Sequence, residues 1–297
     1  MNGRFGTLLT AMITPFKEDG EVDYDGSATL AKQLVDDGND GLVICGTTGE
    51  APTLSTAEKV ELWKVVKEAV GKEIPIIAGT GSNCTKATIE LSLKAQEAGA
   101  DALLLVAPYY NKPSPKGILE HFKTIHEATQ APIMLYNIPG RTGIEIPTDI
   151  LEELAALPRM AAVKQSLPVD PVSRLCGRLA GTSSQMDTYS GDDGQTLPQL
   201  SVGGSGVISV AGHVAGPMIK EMLKAFFAGD VAKASALHHK LFPLFEVLFI
   251  TANPVPVKHA LKLMGRPAGP VRKPLAAASS EEMSRVEAVM RQVGLLS

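Results

Sequence analysis

Short apolar runs alternate with longer amphipathic stretches along most of this chain, and no other feature limits its possible folds as much. The short runs lie at residues 6–13, 41–45, 74–78, 102–106, 133–136, 161–164, 188–190 and 206–210. Turn or polar residues bound them, and their length suits strands rather than helices. Between them, 28–37, 57–70, 85–98, 116–129, 148–156 and 217–228 carry helical spacing. Ser55 and Thr56 offer an N-cap with Glu58 close behind, and Gly38, Gly71 and Gly99 fall where helices should stop. Strands alternating with helices imply a parallel sheet. Eight of them favour closure into a barrel over an open doubly wound sheet. The seventh is the least apolar, because 181–190 is polar and short.

The expected architecture is therefore α/β, a (β/α)8 TIM barrel over residues 1–230 with an additional C-terminal helical segment over 231–297. Within that segment 231–250, 255–264 and 280–293 read as helices, punctuated by Pro254, Pro256, Pro267, Pro270 and Pro274. No Gly/Ser-rich linker sets it apart, so it should pack on the barrel in one structural unit. A length of 297 residues with 44% hydrophobic content is enough for one large core.

Lys and Arg total 28 against 32 Asp and Glu, with no basic stripe for nucleic acid and no polybasic run for a membrane surface. No window approaches the roughly 18 unbroken apolar residues that span a bilayer. Residues 1–12 lack the apolar core and cleavage site of a signal peptide. Three widely spaced cysteines, Cys45, Cys84 and Cys176, fit a reducing cytoplasm better than a disulfide framework.

A barrel of this kind does its chemistry at the C-terminal ends of its strands. The residues found there are Gly46-Thr47-Thr48-Gly49-Glu50, Tyr109-Tyr110-Asn111-Lys112-Pro113, Tyr136-Asn137-Ile138-Pro139-Gly140-Arg141-Thr142-Gly143, Lys164 and Ser190-Gly191-Asp192-Asp193. Lys164 closes the apolar run Met160-Ala161-Ala162-Val163, where a lysine needs a reason. It either snorkels to water or serves as a nucleophile, since an apolar wall disfavours the ammonium and frees the amine to attack a carbonyl. Schiff-base chemistry also moves protons, and Tyr136, Tyr110 and Thr47 carry hydroxyls that relay them while staying neutral. Each alone also reads as an ordinary packed side chain. Arg141, in a Pro-Gly turn, is either a surface residue or a bidentate partner for a carboxylate. The Gly46–Gly49 turn presents backbone N–H groups ahead of a helix, as an ordinary βα turn or as a cradle for a small anion.

Gly203-Gly204-Ser205-Gly206 lacks the Lys-Ser/Thr of a nucleotide loop and reads as a turn that lets backbone approach the substrate. None of the six histidines forms a His-Glu-x-x-His or comparable ligand set, which argues against a metal-dependent aldolase. No dinucleotide fingerprint follows a strand.

Taken together, these motifs make the chain resemble the pyruvate-dependent class I aldolase family that includes dihydrodipicolinate synthase and N-acetylneuraminate lyase. The resemblance runs from Thr10 to about Met264 and rests on GTTGE at 46–50, YYNKP at 109–113, YNIPGRTG at 136–143, Val163-Lys164, YSGDD at 189–193 and GVISV at 206–210. YNIPGRTG is similar to the dihydrodipicolinate synthase branch, because the sialic-acid lyases lack the Arg. The implied reaction condenses pyruvate with L-aspartate 4-semialdehyde to 4-hydroxy-tetrahydrodipicolinate in lysine biosynthesis, with no cofactor and no metal. By the same resemblance Lys164 forms the imine, Tyr136 transfers the proton, and Thr47 and Tyr110 complete its relay, Tyr110 from a neighbouring subunit. Thr48 binds the pyruvate carboxylate, Arg141 holds the semialdehyde carboxylate, and Gly191 and Ile208 line the pocket. A homotetramer of two tight dimers is implied. The sequence departs locally: Gln165-Ser166-Leu167-Pro168 follows the lysine, where many members have an acidic residue and Ala or Ser.

Two other readings remain open at this level. One is a pyruvate aldolase for a hydroxy-keto acid or sugar acid, disfavoured by Arg141. The other is a keto-acid-binding barrel without turnover, disfavoured by Lys164, Tyr136, Thr47 and Tyr110 occurring together.

In lysine-inhibited bacterial relatives a cleft between tight-dimer subunits resembles a set of His, Asn, Glu and Tyr side chains. Asn83 and Tyr109 match it here, but the His positions hold Thr56 and Lys59 and the Glu position holds Ala87. The swap removes an acceptor for the ligand's ammonium and adds a like charge, which repels it. Removing one charge-assisted hydrogen bond costs about 1.5–3 kcal/mol. Steady-state rates should therefore be unchanged, or nearly so, by millimolar L-lysine, and clear partial inhibition would contradict this.

Overall fold

The computed structural model describes residues 3–297, so the first two residues of the stretches 1–12 and 1–230 lie outside the described residues. Each of the eight short apolar runs forms a parallel strand. The strands are β1 (Leu8–Ala11), β2 (Gly41–Ile44), β3 (Ile76–Gly79), β4 (Ala102–Val106), β5 (Ile133–Asn137), β6 (Met160–Gln165), β7 (Asp187–Ser190) and β8 (Gly206–Ser209). Each pairs with the next, and β8 returns to β1 with Leu9 opposite Ile208, so the sheet closes into a (β/α)8 TIM barrel.

The helices are α1 (Tyr24–Asp36), α2 (Thr56–Val70), α3 (Thr85–Glu97), α4 (Pro115–Ala128), α5 (Pro139–Thr142), α6 (Thr148–Ala155), α7 (Val169–Leu179), α8 (Thr196–Ser201) and α9 (Gly212–Phe227). Three more, α10 (Val231–Val247), α11 (Val255–Leu263) and α12 (Ser280–Val293), form the tail. Among the described residues no helix is long and apolar enough to cross a membrane.

Local chemistry explains several boundaries. Ser55 caps α2: its hydroxyl accepts the Glu58 N–H while the Glu58 carboxylate accepts the Ser55 N–H. Ser279 and Glu282 repeat that arrangement at α12. Gly71 ends α2 at φ 80, a left-handed value that a side chain disfavours. Helix α9 starts at Gly212, upstream of the expected 217; Pro217 lies inside it, just past a kink at Ala215. Helix α7 carries no clear apolar signature at its start, where Pro168 and Pro171 flank Asp170. Strand β7 is polar yet buried because its polar groups are partnered. Tyr189 donates to the Gly6 carbonyl at 2.9 Å, and the Ser190 hydroxyl donates to the Asp192 carbonyl at 2.7 Å.

Alternation along each strand divides the apolar residues into two sets. Leu9, Val43, Ile77, Leu104, Met134, Tyr136, Ala162, Tyr189 and Ile208 fill the barrel interior. Ile133, Leu135 and Val163 belong to the larger cluster between strands and helices. Lys164 is two residues beyond Ala162 and therefore shares its inward face. The register then sets Tyr136, Lys164 and Tyr189 side by side on β5, β6 and β7.

Two histidines are built into the packing. His213 Nε2 accepts the Ile13 N–H at 3.0 Å, so its Nδ1 carries the proton and donates to the Val210 carbonyl at 2.8 Å. His121 Nδ1 meets the Thr85 hydroxyl at 2.9 Å. Burial pulls both from the ordinary 6.5 down to about 4. Between those values the unfolded chain binds protons that the folded chain excludes, so stability falls as pH is lowered through that window. Each site should contribute on the order of 2–3 kcal/mol by its lower end. The urea midpoint should drop between pH 7 and pH 5, and His121→Gln should lessen the drop; a midpoint constant over this range would contradict the assignment.

Candidate active site

Lys164 sits near the C-terminal end of β6 on the inner face, and its side chain is confined on several sides. It is 5% exposed, as is Tyr136 beside it. The Lys164 Nζ lies 4.4 Å from the centre of the Tyr136 ring. Opposite, Gly191 follows β7 so closely that a Cβ there would stand 2.8 Å from Lys164 Cε and 2.3 Å from the Ser166 hydroxyl. Glycine at 191 thus makes room for the lysine, and any side chain there would displace it.

The segment after β5 is braced from within. Asn137 accepts the Ile146 N–H at 3.0 Å and donates to the Ile146 carbonyl at 3.3 Å, closing the loop that contains α5. That loop presents Arg141, which is exposed and enters no ion pair among the described residues. A cavity of about 320 Å3 opens here, lined by Thr47, Tyr136, Ile138 and Arg141 and also by Lys59 and Tyr109. Lys164 is not part of its wall; the Tyr136 ring is the element common to the cavity and the lysine. Burial lowers the Lys59 ammonium from its ordinary range and pushes the Cys45 thiol beside it up to about 12.

Thr48 is buried, and its hydroxyl accepts from Asn253 Nδ2 at 3.0 Å. Ile208 is buried on the interior face of β8, in the same apolar cluster as Tyr136. Tyr110 stands apart: it is 89% exposed, adopts φ 72 and does not line the cavity of its own chain. The structure thus gathers Lys164, Tyr136 and Gly191 closely together, with Thr47 and Arg141 around the cavity, and leaves Tyr110 outside it. Among the described residues no three His, Cys, Asp or Glu side chains gather to hold a metal ion.

Known proteins share this arrangement's sequence and fold. Residues 4–293 match the family model described as the dihydrodipicolinate synthetase family. The chain belongs to the dihydrodipicolinate synthetase family. It is 51% identical over 294 residues to the 4-hydroxy-tetrahydrodipicolinate synthase of Moorella thermoacetica, covering 99% of this chain and 100% of that one. A relative of the same name from Heliobacterium modesticaldum is 50% identical over 98% of this chain and 96% of its own length. Among solved structures, the dihydrodipicolinate synthase of Cyanidioschyzon merolae with lysine bound superimposes with a TM-score of 0.96 at 44% identity, covering 99% of this chain and 100% of that one.

Sequence reasoning missed the residues that brace the family's strand-end motifs. Asn253, Lys258 and Arg272 all touch the Thr48–Glu50 turn from the tail. Their only local signal is an Asn before a Pro and two cations among prolines, which says nothing about partners some 200 positions away. Asp193 stands out in the sequence only as part of a motif. Buried and pushed above the usual carboxylate range by that burial, it accepts the Val210 and Ala211 N–H groups, each at 3.0 Å, and the Ser209 hydroxyl, joining β7 to the end of β8.

Proposed function

We propose that Lys164 is the nucleophile with which this chain condenses pyruvate and L-aspartate 4-semialdehyde to 4-hydroxy-tetrahydrodipicolinate, a lyase reaction of lysine and diaminopimelate biosynthesis. The observation that carries the assignment is the position of the Lys164 amine inside the barrel, 4.4 Å from the Tyr136 ring, at the strand ends. Its amine attacks the carbonyl carbon of pyruvate, and loss of water from the carbinolamine leaves the imine. Removal of a proton from the substrate methyl gives an enamine, whose carbon attacks the aldehyde to form the new C–C bond while the aldehyde oxygen takes up a proton. The amino group of the semialdehyde then adds to the regenerated imine carbon and displaces the Lys164 amine, closing the ring. Tyr136 carries these protons, since its hydroxyl donates and accepts without adding a charge next to the amine. Thr47, half-buried in the same cavity, extends that relay.

The two carboxylates are assigned to different partners. The Thr48 hydroxyl and the backbone of its turn take the carboxylate of pyruvate, while Gly191 and Ile208 shape the space around it. Arg141 takes the carboxylate of the semialdehyde, and the lack of an ion pair for it among the described residues supports this role. We also assign Tyr110 to the relay of a neighbouring subunit within a homotetramer of tight dimers. Its exposure on a left-handed backbone supports that reading, because an aromatic ring held out in solvent is available to a neighbouring chain. Three free cysteines, with Cys84 exposed, support a cytoplasmic location.

A coupled assay should show turnover with pyruvate and the semialdehyde and none with pyruvate and N-acetylmannosamine. Arg141→Ala should raise the KM for the semialdehyde roughly ten- to a hundredfold, the removal of a bidentate pairing worth about 1.5–3 kcal/mol. The KM for pyruvate should change far less. Equal damage to both substrates would make Arg141 structural.

A further inference from the structure

The turn that carries Thr47 and Thr48 is not held by the barrel alone. Its last residue, Glu50, adopts φ 55, a left-handed conformation that a non-glycine residue holds only under constraint. The turn's own hydrogen bonds supply part of that constraint, and the tail supplies the rest through the Glu50 side chain. Lys258 on α11 approaches Glu50 Oε1 at 2.7 Å, with the two side chains 3% and 1% exposed. At that separation the ammonium and the carboxylate form a buried, charge-assisted pair. The other oxygen, Oε2, accepts the backbone N–H of Arg272 at 2.9 Å.

Both tail cations are themselves fixed. Lys258 donates to the Pro270 carbonyl at 2.7 Å and lies 4.2 Å from the centre of the Phe16 ring. Arg272 pairs with Glu58 and donates to the carbonyls of Gly20 and Thr53, each at 2.8 Å. Just upstream of α11, Asn253 Nδ2 donates to the Thr48 hydroxyl, and both residues are buried. A hydroxyl has one proton. Once Thr48 Oγ1 accepts from Asn253, that proton is left to donate elsewhere, and a carboxylate can only accept.

We infer that the C-terminal tail sets the pyruvate end of the site, with Asn253 and Lys258 as positioning residues that act through Thr48 and Glu50. Asn253 fixes the Thr48 hydroxyl as a donor, and Lys258 anchors the end of the turn that presents it. The tail is thereby part of the substrate-binding apparatus rather than a cover for the barrel. This rests on the reading that Thr48 binds the pyruvate carboxylate and that Lys164 forms the imine.

Borohydride trapping of the imine at graded pyruvate reads this end of the site without the second substrate. Asn253→Asp, which accepts but cannot donate, should raise the pyruvate concentration for half-maximal trapping by about tenfold, the usual effect of removing one good hydrogen bond to a charged group. The KM for the semialdehyde should stay within about twofold, a split that general loosening of the fold would not produce. Lys258→Met should shift the pyruvate requirement in the same direction and lower the melting temperature, because it strands a buried carboxylate. The double variant Glu50→Gln/Lys258→Met has no stranded charge; it should recover the melting temperature yet keep the raised pyruvate requirement. It also carries the test if the single variant does not fold. A wild-type pyruvate requirement in Asn253→Asp and in the folded double variant, or equal shifts for both substrates, would overturn the inference. Wild-type protein that traps no pyruvate would instead overturn the reading on which it rests.

Discussion

A lysine inside an apolar barrel is held there by the closure of the sheet. Because β8 pairs back onto β1, every strand has one face turned inward and no edge at which its register can drift. Alternation then leaves Lys164 no choice: with Ala162 packed among the interior side chains, the residue two positions on must also point in. The register of β5 with β6 pairs it with Tyr136, and that of β6 with β7 pairs it with Tyr189. Tyr189 is sealed by its bond to Gly6, and burial raises its phenol well above the usual range, so it remains a packed ring. Tyr136 opens onto the cavity, which separates the two tyrosines flanking the lysine.

Around that fixed centre the groups proposed to meet the substrates sit on turns, and each turn is tied down separately. Asn137 closes the loop carrying Arg141, Asp193 links the end of β7 to the start of α9, and the tail grips the Thr48–Glu50 turn. Such braces act at a cost. A buried ion pair gains little over a well-packed apolar pair, whereas removing one partner costs about 3–5 kcal/mol. The Glu50–Lys258 pair is therefore better understood as fixing one geometry than as adding stability. Burial already draws the Lys258 ammonium down to about 8 against the pull of Glu50, so the pair weakens as pH rises past that value.

The sequence is most legible where local chemistry bounds an element on both sides. Strand β4 and helix α12 run over 102–106 and 280–293, as the periodicity and the flanking residues indicate. Strand β7 reads weakly because its burial depends on hydrogen bonds from Tyr189 and Ser190 to distant or irregular backbone, not on apolar content. The start of α9 escapes a local reading because Pro217 looks like a helix start but lies past a kink. Motifs at strand ends mark the site, since residues close in sequence carry much of it. What they cannot reveal is mutual position: Lys164 against Gly191, Thr48 against Asn253 and Glu50 against Lys258 are all long-range pairings that only the folded chain defines.

The most direct test is to find which lysine holds pyruvate. Protein reduced with borohydride in the presence of pyruvate should carry the added mass on the peptide containing Val163-Lys164, and Lys164→Ala should carry none. An adduct on Lys112 or Lys258 in the wild-type protein, or an undiminished adduct in Lys164→Ala, would contradict the assignment of the nucleophile and the mechanism built on it.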